Sequence, residues 1–180
     1  MDKKEARKKY IDIRKNIPTE IKADKSLKIC KRIEELISAK HFDAILLYAP
    51  LEYEVDVIKV FNKSLNDNFF FPLTKGDLMT FHKVESPDDL SIGNFNVREP
   101  KEYCPEIVFD KEKEYLVIVP GAAFDKKGYR IGYGKGYYDK FFSKNEGVKF
   151  TKIGVCFKEC FLDEIPFDEY DCPVDEVYFE

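Results

Sequence analysis

Residues 115–142 have the sequence YLVIVPGAAFDKKGYRIGYGKGYYDKFF. The first seven of them, YLVIVPG, form a nearly continuous apolar run, which is typical of a strand buried on both faces of a sheet. Residues 137–145, YYDKFFSKN, predict a helix. Between these elements every second residue from Gly132 to Gly136 is a glycine, although glycine is costly to order in strands and helices alike. A loop of this kind between a strand and a helix therefore calls for a reason other than packing.

The composition indicates one domain that is not a general nucleic-acid-binding protein. The chain has 180 residues, 44% of them hydrophobic, and a formal net charge of −4 at pH 7. This length predicts a single domain over residues 1–180, and the acidic balance argues against a broad basic surface. Since no apolar run approaches the length of a membrane span, we expect no membrane association. We also expect no nucleic-acid partner, and a monomer or a weak dimer.

The cysteines favour a cytoplasmic location with free thiols. Their number is odd and their spacing is scattered: Cys30, Cys104, Cys156, Cys160 and Cys172. The charged start of the chain, MDKKEARKKY, is followed by no apolar segment of the kind that directs secretion. Cys156 and Cys160 are four residues apart without a nearby histidine, which argues against a zinc site.

The first forty residues predict two helices, with Pro18 ending the first and Thr19 capping the second. The apolar stripes expected on them are Ala6, Tyr10, Ile13 and Ile17, and then Leu27, Cys30, Ile33 and Ile37. A further helix is predicted in EVDVIKVFNKSL, with Val57, Val60, Phe61 and Leu65 at helical spacing.

Several short apolar segments predict strands. They are FDAILLYAP (42–50), NFFFPL (68–73), LMTFHKV (78–84), YLVIVPG (115–121), FTKIGVCF (150–157) and DEVYF (175–179). Residues 85–106 show little periodicity and predict a long irregular excursion. Strands that alternate with helices predict an α/β fold, here a three-layer α/β/α arrangement with a mainly parallel, Rossmann-like sheet. Ligands bind beyond the carboxyl ends of such strands, which is where the glycine run lies.

The glycine run has the composition of a phosphate site. Glycines allow several backbone N–H groups to point at one anion, and a helix N-terminus follows. Arg130 and Lys135 supply positive charge, and Asp139 lies where it could hold a magnesium ion against phosphate oxygens. Neither GxxxxGK[ST] nor a GxGxxG opening the first strand–helix unit is present. By spacing alone, a glycine–aromatic surface loop remains an equal alternative.

Two other features have both a structural and a functional interpretation. Lys3, Arg7 and Arg14 fall on about one face of the first helix, either as a solvated charged face or as a basic helix over an anionic ligand. Glu54 follows the first strand, where it either caps a helix or accepts hydrogen bonds from a heterocycle. The sequence leaves both pairs of alternatives open.

Residues 117–141, VIVPGAAFDKKGYRIGYGKGYYDKF, resemble the signature of the 5-formyltetrahydrofolate cyclo-ligase family, which is also called methenyltetrahydrofolate synthetase. That signature runs approximately P-G-x-x-F-D-x-x-G-x-R-[LI]-G-[YR]-G-[GK]-G-Y-Y-D. The resemblance extends to KKEARKKYIDIR, YAPLEYEVDV, NVREP, IGVCFKEC and DEYDCPVDEV, and so covers nearly the whole chain. It implies a fold of the CoA-transferase-like type with added N-terminal helices.

The resemblance also implies site residues. The ATP contacts would be Lys3, Lys4, Arg7, Arg130, Ile131, Gly132, Tyr133, Gly134, Lys135, Gly136, Tyr137 and Tyr138. The folate contacts would be Arg7, Ala49, Glu54, Tyr133, Gly134, Lys135, Gly136 and Tyr137. The magnesium ligands would be Asp139 and Asp171, and the catalytic group would be Arg130, Lys135 and Tyr137.

The implied reaction converts 5-formyltetrahydrofolate to 5,10-methenyltetrahydrofolate while ATP is cleaved to ADP and phosphate, with Mg²⁺ required. The chain departs from the family pattern at Val57, where threonine is usual, and at Cys160, where glutamine is usual. Two other functions remain as alternatives. One is an ATP-dependent kinase or ligase acting on another small molecule, and the other is a single-stranded nucleic-acid platform of tyrosines and cations.

Overall fold

The computed structural model describes residues 2–63, 68–93 and 96–180. The helices are α1 (Lys3–Asn16), α2 (Thr19–Ala39), α3 (Ile58–Lys63) and α4 (Tyr137–Lys144). The strands are β1 (Ala44–Leu46), β2 (Phe69–Lys75), β3 (Leu78–Lys83), β4 (Leu90–Ile92), β5 (Arg98–Pro100), β6 (Glu114–Pro120), β7 (Ala123–Asp125), β8 (Arg130–Ile131), β9 (Lys149–Cys156), β10 (Phe161–Leu162) and β11 (Glu176–Phe179). Within these ranges no helix combines the length and apolar character needed to cross a lipid bilayer.

The main sheet has the strand order β11-β9-β6-β1-β2-β3. Neighbouring strands from β11 to β2 are parallel, and β3 pairs antiparallel with β2. Ile45 of β1 lies opposite Leu116 of β6 on one side and Phe69 of β2 on the other. Because β1 and β6 are adjacent and parallel, the loops that follow them leave from the same edge of the sheet. The predicted mainly parallel sheet is confirmed.

Each face of the main sheet carries its own core and its own pair of helices. Ile45 and Leu116 face a core formed with α2 and α3, whereas Leu46 and Val117 face a core formed with α1 and α4. Side chains alternate between faces along a strand, so a continuous apolar run fills both cores. The three-layer α/β/α fold is therefore confirmed.

The first helix begins at a capping box. The Asp2 side chain accepts hydrogen bonds from the N–H groups of Lys4 and Glu5, and the Glu5 side chain accepts one from the Asp2 N–H. The predicted stripe is confirmed, since Ala6 and Tyr10 are buried against the sheet. This capping box fixes the N-terminus of α1, the helix that covers the glycine run.

The second helix differs from its prediction in two details. Thr19 is the first helical residue rather than the cap, and Pro18 occupies the cap position without a side-chain hydrogen bond. Leu27 is 46% exposed, while Ile29 is fully buried beside Cys30. The buried stripe contains Ser26 instead of Leu27, because the helix turns Ser26 and its i+3, i+4 and i+7 neighbours toward the sheet.

The prediction of an irregular excursion over residues 85–106 is wrong at two short strands. Strands β4 and β5 form an antiparallel pair in which Ser91 lies opposite Glu99. Strands of three residues are too short to show a two-residue period, so no sequence pattern predicts them. The predicted helix position Leu65 lies outside the described residues, whereas Val57, Val60 and Phe61 are buried as expected.

Strands β7 and β8 belong to a second sheet of order β10-β7-β8, and Phe124 of β7 holds this sheet against the main one. Phe124 is fully buried. A Cβ atom added at Gly121 would lie 2.7 Å from the Phe124 ring, and one added at Gly154 of β9 would lie closer still. These two glycines therefore leave the space that the ring occupies, and the ring positions the strands that lead into the glycine run.

We expect Gly154→Ala to destabilise the fold by about 1–3 kcal/mol, because the new methyl group overlaps the Phe124 ring in a packed core. Urea unfolding followed by circular dichroism measures the change. Gly132→Ala is the matched control, since a Cβ atom there would meet nothing within 4 Å, and it should be neutral or slightly stabilising. Equal stability of the two variants would contradict the packing role of Phe124.

Candidate functional site

A cleft of about 600 Å³ opens at the carboxyl edge of the main sheet, beyond β1 and β6. All the predicted site residues except Lys4 line it: Lys3, Arg7, Ala49, Glu54, Arg130, Ile131, Gly132, Tyr133, Gly134, Lys135, Gly136, Tyr137, Tyr138, Asp139 and Asp171. Lys4 is exposed on α1. The fold thus brings residues from both ends of the chain to one cleft.

Two positions of the glycine run need glycine for conformational reasons. Gly134 has a φ of 95° and Gly136 has a φ of 65°, backbone angles that residues other than glycine rarely adopt. Gly136 is the N-cap of α4, so the run ends where the N–H groups of a helix are unpaired. A Cβ atom at Gly134 would also lie 3.2 Å from the Arg7 guanidinium carbon. The loop therefore passes directly beneath α1.

Helix α1 covers the glycine run through basic side chains. Arg7 Nε donates a hydrogen bond to the Gly132 carbonyl oxygen at 2.6 Å. Lys3 forms ion pairs with Asp171 and, at 2.7 Å, with Asp168. The interpretation of this helix face as a solvated charged surface is wrong at Arg14, which is only 3% exposed.

Arg130 is held between α4 and the C-terminal part of the chain. Its Nη2 lies 2.7 Å from Asp139 Oδ1, and its Nη1 donates to the Cys172 carbonyl oxygen at 2.7 Å. The Cys172 N–H donates to the same Asp139 oxygen at 3.0 Å. The Arg130 side chain is 5% exposed, so its charge sits in the wall of the cleft and is fixed there by these contacts.

The carboxylates of Asp139 and Asp171 fit a magnesium ion that also binds phosphate. Both line the cleft. Arg130 and the Cys172 N–H contact Oδ1 of Asp139, and Lys3 and the Asp168 N–H contact Oδ2 of Asp171. Among the described residues no cluster of three or more His, Cys, Asp or Glu side chains could hold a metal alone. Mg²⁺ commonly takes one or two carboxylates and completes its shell with water and substrate phosphates. The donor set therefore suits a metal that arrives with a phosphorylated ligand.

Glu54 is a buried carboxyl group that also lines the cleft. It lies in the loop after β1 and is 7% exposed. The Leu51 N–H donates to its Oε2 at 2.8 Å, and the Tyr133 hydroxyl donates to its Oε1 at 2.5 Å. Burial raises the pKa of Glu54, while the hydrogen bonds from Tyr133 and Leu51 oppose that rise. This placement favours the ligand-contact interpretation of Glu54 over helix capping, because α3 begins only at Ile58.

Tyrosines form the aromatic surface of the cleft. The Tyr137 hydroxyl donates to the Gly76 carbonyl oxygen at 2.9 Å and so ties α4 to the turn between β2 and β3. Tyr133 is 39% exposed over the cleft. The Tyr138 hydroxyl is buried without a hydrogen-bond partner among the described residues, and burial raises the pKa of that phenol.

Similar proteins are known over nearly the whole length of the chain. The model of the 5-formyltetrahydrofolate cyclo-ligase family matches residues 1–180. The chain belongs to this family. A probable 5-formyltetrahydrofolate cyclo-ligase of Schizosaccharomyces pombe is 33% identical over 165 residues, which cover 83% of this chain and 81% of the relative. One from Caenorhabditis elegans is 30% identical over 166 residues, covering 82% and 79%.

A solved cyclo-ligase structure has the same fold. The NMR structure of Aquifex aeolicus 5,10-methenyltetrahydrofolate synthetase superposes with a TM-score of 0.84 at 33% identity, over 99% of this chain and 90% of that one. Membership of the cyclo-ligase family implies a nucleotide-dependent reaction and a small-molecule folate substrate.

Both departures from the cyclo-ligase pattern lie outside the cleft lining. Val57 is fully buried in the core beside α3. Cys160 is also fully buried, and its thiol contacts the Tyr10 carbonyl oxygen of α1 at 3.9 Å. Burial raises the pKa of Cys160 to about 11, so it is a neutral thiol. Neither departure removes a side chain from the cleft.

Sequence reasoning missed one wall of this cyclo-ligase cleft. It consists of Pro72, Thr74, Met79, Val97 and Glu99. Glu99 accepts hydrogen bonds from the Thr74 N–H at 3.0 Å and the Thr74 hydroxyl at 2.7 Å. The segment NVREP carried the only signal, as part of the resemblance, and its spacing assigned no role. Tyr48, Leu51, Tyr53 and Pro120 complete the lining.

The pH dependence of stability should reveal the buried Glu54. A carboxyl group whose pKa is higher in the folded state holds its proton more tightly there. Its contribution to the stability of the fold is therefore lost as the pH rises from the ordinary pKa of 4.5 through the folded pKa. We expect the free energy of unfolding of the wild type, minus that of Glu54→Gln, to fall over this window and then level off. Urea unfolding at closely spaced pH values measures it, and a difference that rises with pH would contradict the assignment.

Proposed function

We propose that this protein converts 5-formyltetrahydrofolate to 5,10-methenyltetrahydrofolate with cleavage of ATP to ADP and phosphate. The observation that supports this best is the polarity of one cleft. The buried carboxyl acceptor Glu54 lines the same cleft as the glycine run, Lys3 and Arg130. A heterocycle with N–H donors and a polyphosphate can therefore meet in one continuous space.

The phosphate end suits the triphosphate of ATP. The backbone of the glycine run is open beside a helix N-terminus, and Lys3, Arg7 and Arg130 surround it. Lys135 also lines this part of the cleft. Backbone donors, a helix N-terminus and cations are the groups that bind phosphate oxygens in proteins. Lys4 is not carried into the proposal, because its side chain lies outside the lining.

Magnesium is the metal we propose for Asp139 and Asp171. Bound with the nucleotide, it would neutralise charge on the phosphate oxygens. The protein's own contribution is to hold the two carboxylates in place: Asp139 through Arg130 and the Cys172 N–H, and Asp171 through Lys3 and the Asp168 N–H.

The folate end suits a pterin. Glu54 has both oxygens fixed by internal donors, and each oxygen retains a lone pair for a ligand. Tyr133 and Tyr137 supply aromatic surface, and the small Ala49 lines the same cleft. A carboxylate and flat aromatic faces match a heterocycle that carries adjacent N–H groups.

In the proposed reaction the formyl oxygen attacks the γ-phosphorus and ADP leaves. The neighbouring folate nitrogen then attacks the activated carbon, loses its proton, and phosphate departs as the five-membered ring closes. Arg130 and Lys135 neutralise charge during phosphoryl transfer, and Tyr137, anchored to Gly76, positions the substrate. No covalent bond to the protein is needed, so catalysis depends on positioning and charge.

We further propose that residues 1–180 act as one domain in the cytoplasm, as a monomer or a weak dimer. The family match over the whole chain and the cleft built from both termini support one functional unit. Analytical ultracentrifugation measures the oligomeric state, and cell fractionation measures the location.

The purified protein should form methenyltetrahydrofolate, monitored by its absorbance, only when 5-formyltetrahydrofolate, ATP and Mg²⁺ are all present. A chelator in excess should abolish turnover, and added Mg²⁺ should restore it, because the phosphate charge is otherwise unneutralised. ATP hydrolysis that proceeds without 5-formyltetrahydrofolate would favour a kinase or ligase for another small molecule. Full activity in chelator would reject the metal assignment.

Lys3→Ala should raise the KM for ATP about tenfold, since it removes a charged donor from the phosphate end of the cleft. Lys8→Ala is the matched control on the same helix, because Lys8 is exposed and lies outside the cleft lining. Steady-state kinetics at saturating 5-formyltetrahydrofolate measure both. Similar KM values for the two variants would contradict the placement of ATP phosphates beside α1.

A further inference from the structure

Arg14 is a buried cation with no place in the ligand contacts described so far. It lies on α1, is 3% exposed and does not line the large cleft. Its Nη1 donates to the Gly121 carbonyl oxygen at 3.1 Å, and its Nη2 lies 2.6 Å from the Tyr133 hydroxyl oxygen. Its guanidinium also lies over the rings of Tyr53 and Tyr133, 5.3 and 5.6 Å from their centroids. A charge buried this deeply requires a counter-charge or a function.

The directions of the hydrogen bonds follow from the donors available. Arginine has donors and no acceptor, so the Tyr133 oxygen accepts from Arg14. The single hydroxyl proton of Tyr133 is then donated to Glu54 Oε1, and the Leu51 N–H occupies Oε2. Both oxygens of Glu54 therefore accept, which is the pattern of an ionised carboxylate with a fixed orientation.

These hydrogen bonds thus link two buried charges of opposite sign through the hydroxyl group of one tyrosine. Glu54 lies after β1, Tyr133 lies in the glycine run and Arg14 lies on α1. A buried carboxylate without a positive partner is costly, and it responds by taking up a proton or by moving toward solvent. The Arg14 charge offsets that cost without occupying the ligand-facing side of Glu54.

We propose that Arg14 is a positioning residue for the folate, and that it acts through the Tyr133 hydroxyl to hold Glu54 ionised and oriented toward the pterin. This inference rests on the proposed function, in which Glu54 accepts hydrogen bonds from the pterin. It assigns Tyr133 a second role besides its aromatic surface: its hydroxyl couples the position of the glycine run to that of the folate carboxylate.

Steady-state kinetics separate this role from a structural one. Arg14→Met should raise the KM for 5-formyltetrahydrofolate about tenfold and leave the KM for ATP within twofold, because the lost charge supports Glu54 and Arg14 itself does not line the cleft. In a Tyr133→Phe background, Arg14→Met should raise the KM for 5-formyltetrahydrofolate by a further factor of less than two. The relay, which is the series of hydrogen bonds from Arg14 through Tyr133 to Glu54, is already broken there. Ile33→Ala is the control for lost stability: it empties a fully buried core position of α2 on the other face of the sheet and should leave both KM values unchanged.

A stability cycle tests the relay without reference to activity. The changes that Arg14→Met and Glu54→Gln cause in the free energy of unfolding, measured in urea, should be non-additive when Tyr133 is present. They should be additive in the Tyr133→Phe background. If Arg14→Met does not fold, Tyr133→Phe alone decides, because it keeps the ring and should raise only the KM for 5-formyltetrahydrofolate.

The outcomes distinguish the two proposals. A wild type that forms no methenyltetrahydrofolate rejects the proposed function, and the stability cycle then still decides whether Arg14 supports Glu54. An active wild type with an unchanged folate KM in Arg14→Met, or with equal rises for folate and ATP, overturns the positioning role. An interaction that persists in the Tyr133→Phe background overturns the relay.

Discussion

The parallel pairing of β1 with β6 is the constraint on which the site depends. Ile45 and Leu116 lie opposite each other in the middle of the sheet, so the chain after each strand emerges at the same edge. Glu54 follows one strand and the glycine run follows the other. Parallel strands are buried on both faces, and the apolar side chains that fill the two cores hold this alignment. The position of Glu54 relative to the glycine run is therefore set by the sheet.

Helix α1 closes the site with charges that the protein itself partly neutralises. Arg7 and Arg14 donate to backbone carbonyl oxygens, and Lys3 pairs with Asp171. These contacts keep a basic helix packed on a glycine loop in the absence of a ligand. An anionic ligand would enter a site whose cations are already oriented, which lowers the cost of ordering them on binding.

The order of elements was predictable because long apolar or periodic segments carry strong signals. The helix stripe through Ala6 and Tyr10 and the strand over residues 115–121 are examples. The short strands β4 and β5 were not predictable, because three residues show no period. The exposed position of Leu27 was missed for a related reason. An apolar residue at the edge of a helical stripe is turned inward or outward by tertiary packing.

The sequence by itself determined the fold class, the location of the glycine run and its likeness to the cyclo-ligase signature, because these depend on local pattern and residue type. Only the tertiary structure decided which polar groups meet. Arg14 and Tyr133 are 119 residues apart in sequence, and Tyr133 and Glu54 are 79 apart. No spacing within one helix or strand encodes such contacts, since they arise when the sheet brings separate loops to one edge. The same reason explains why only the structure decided between a solvated and a covered helix face at Arg14, which is buried.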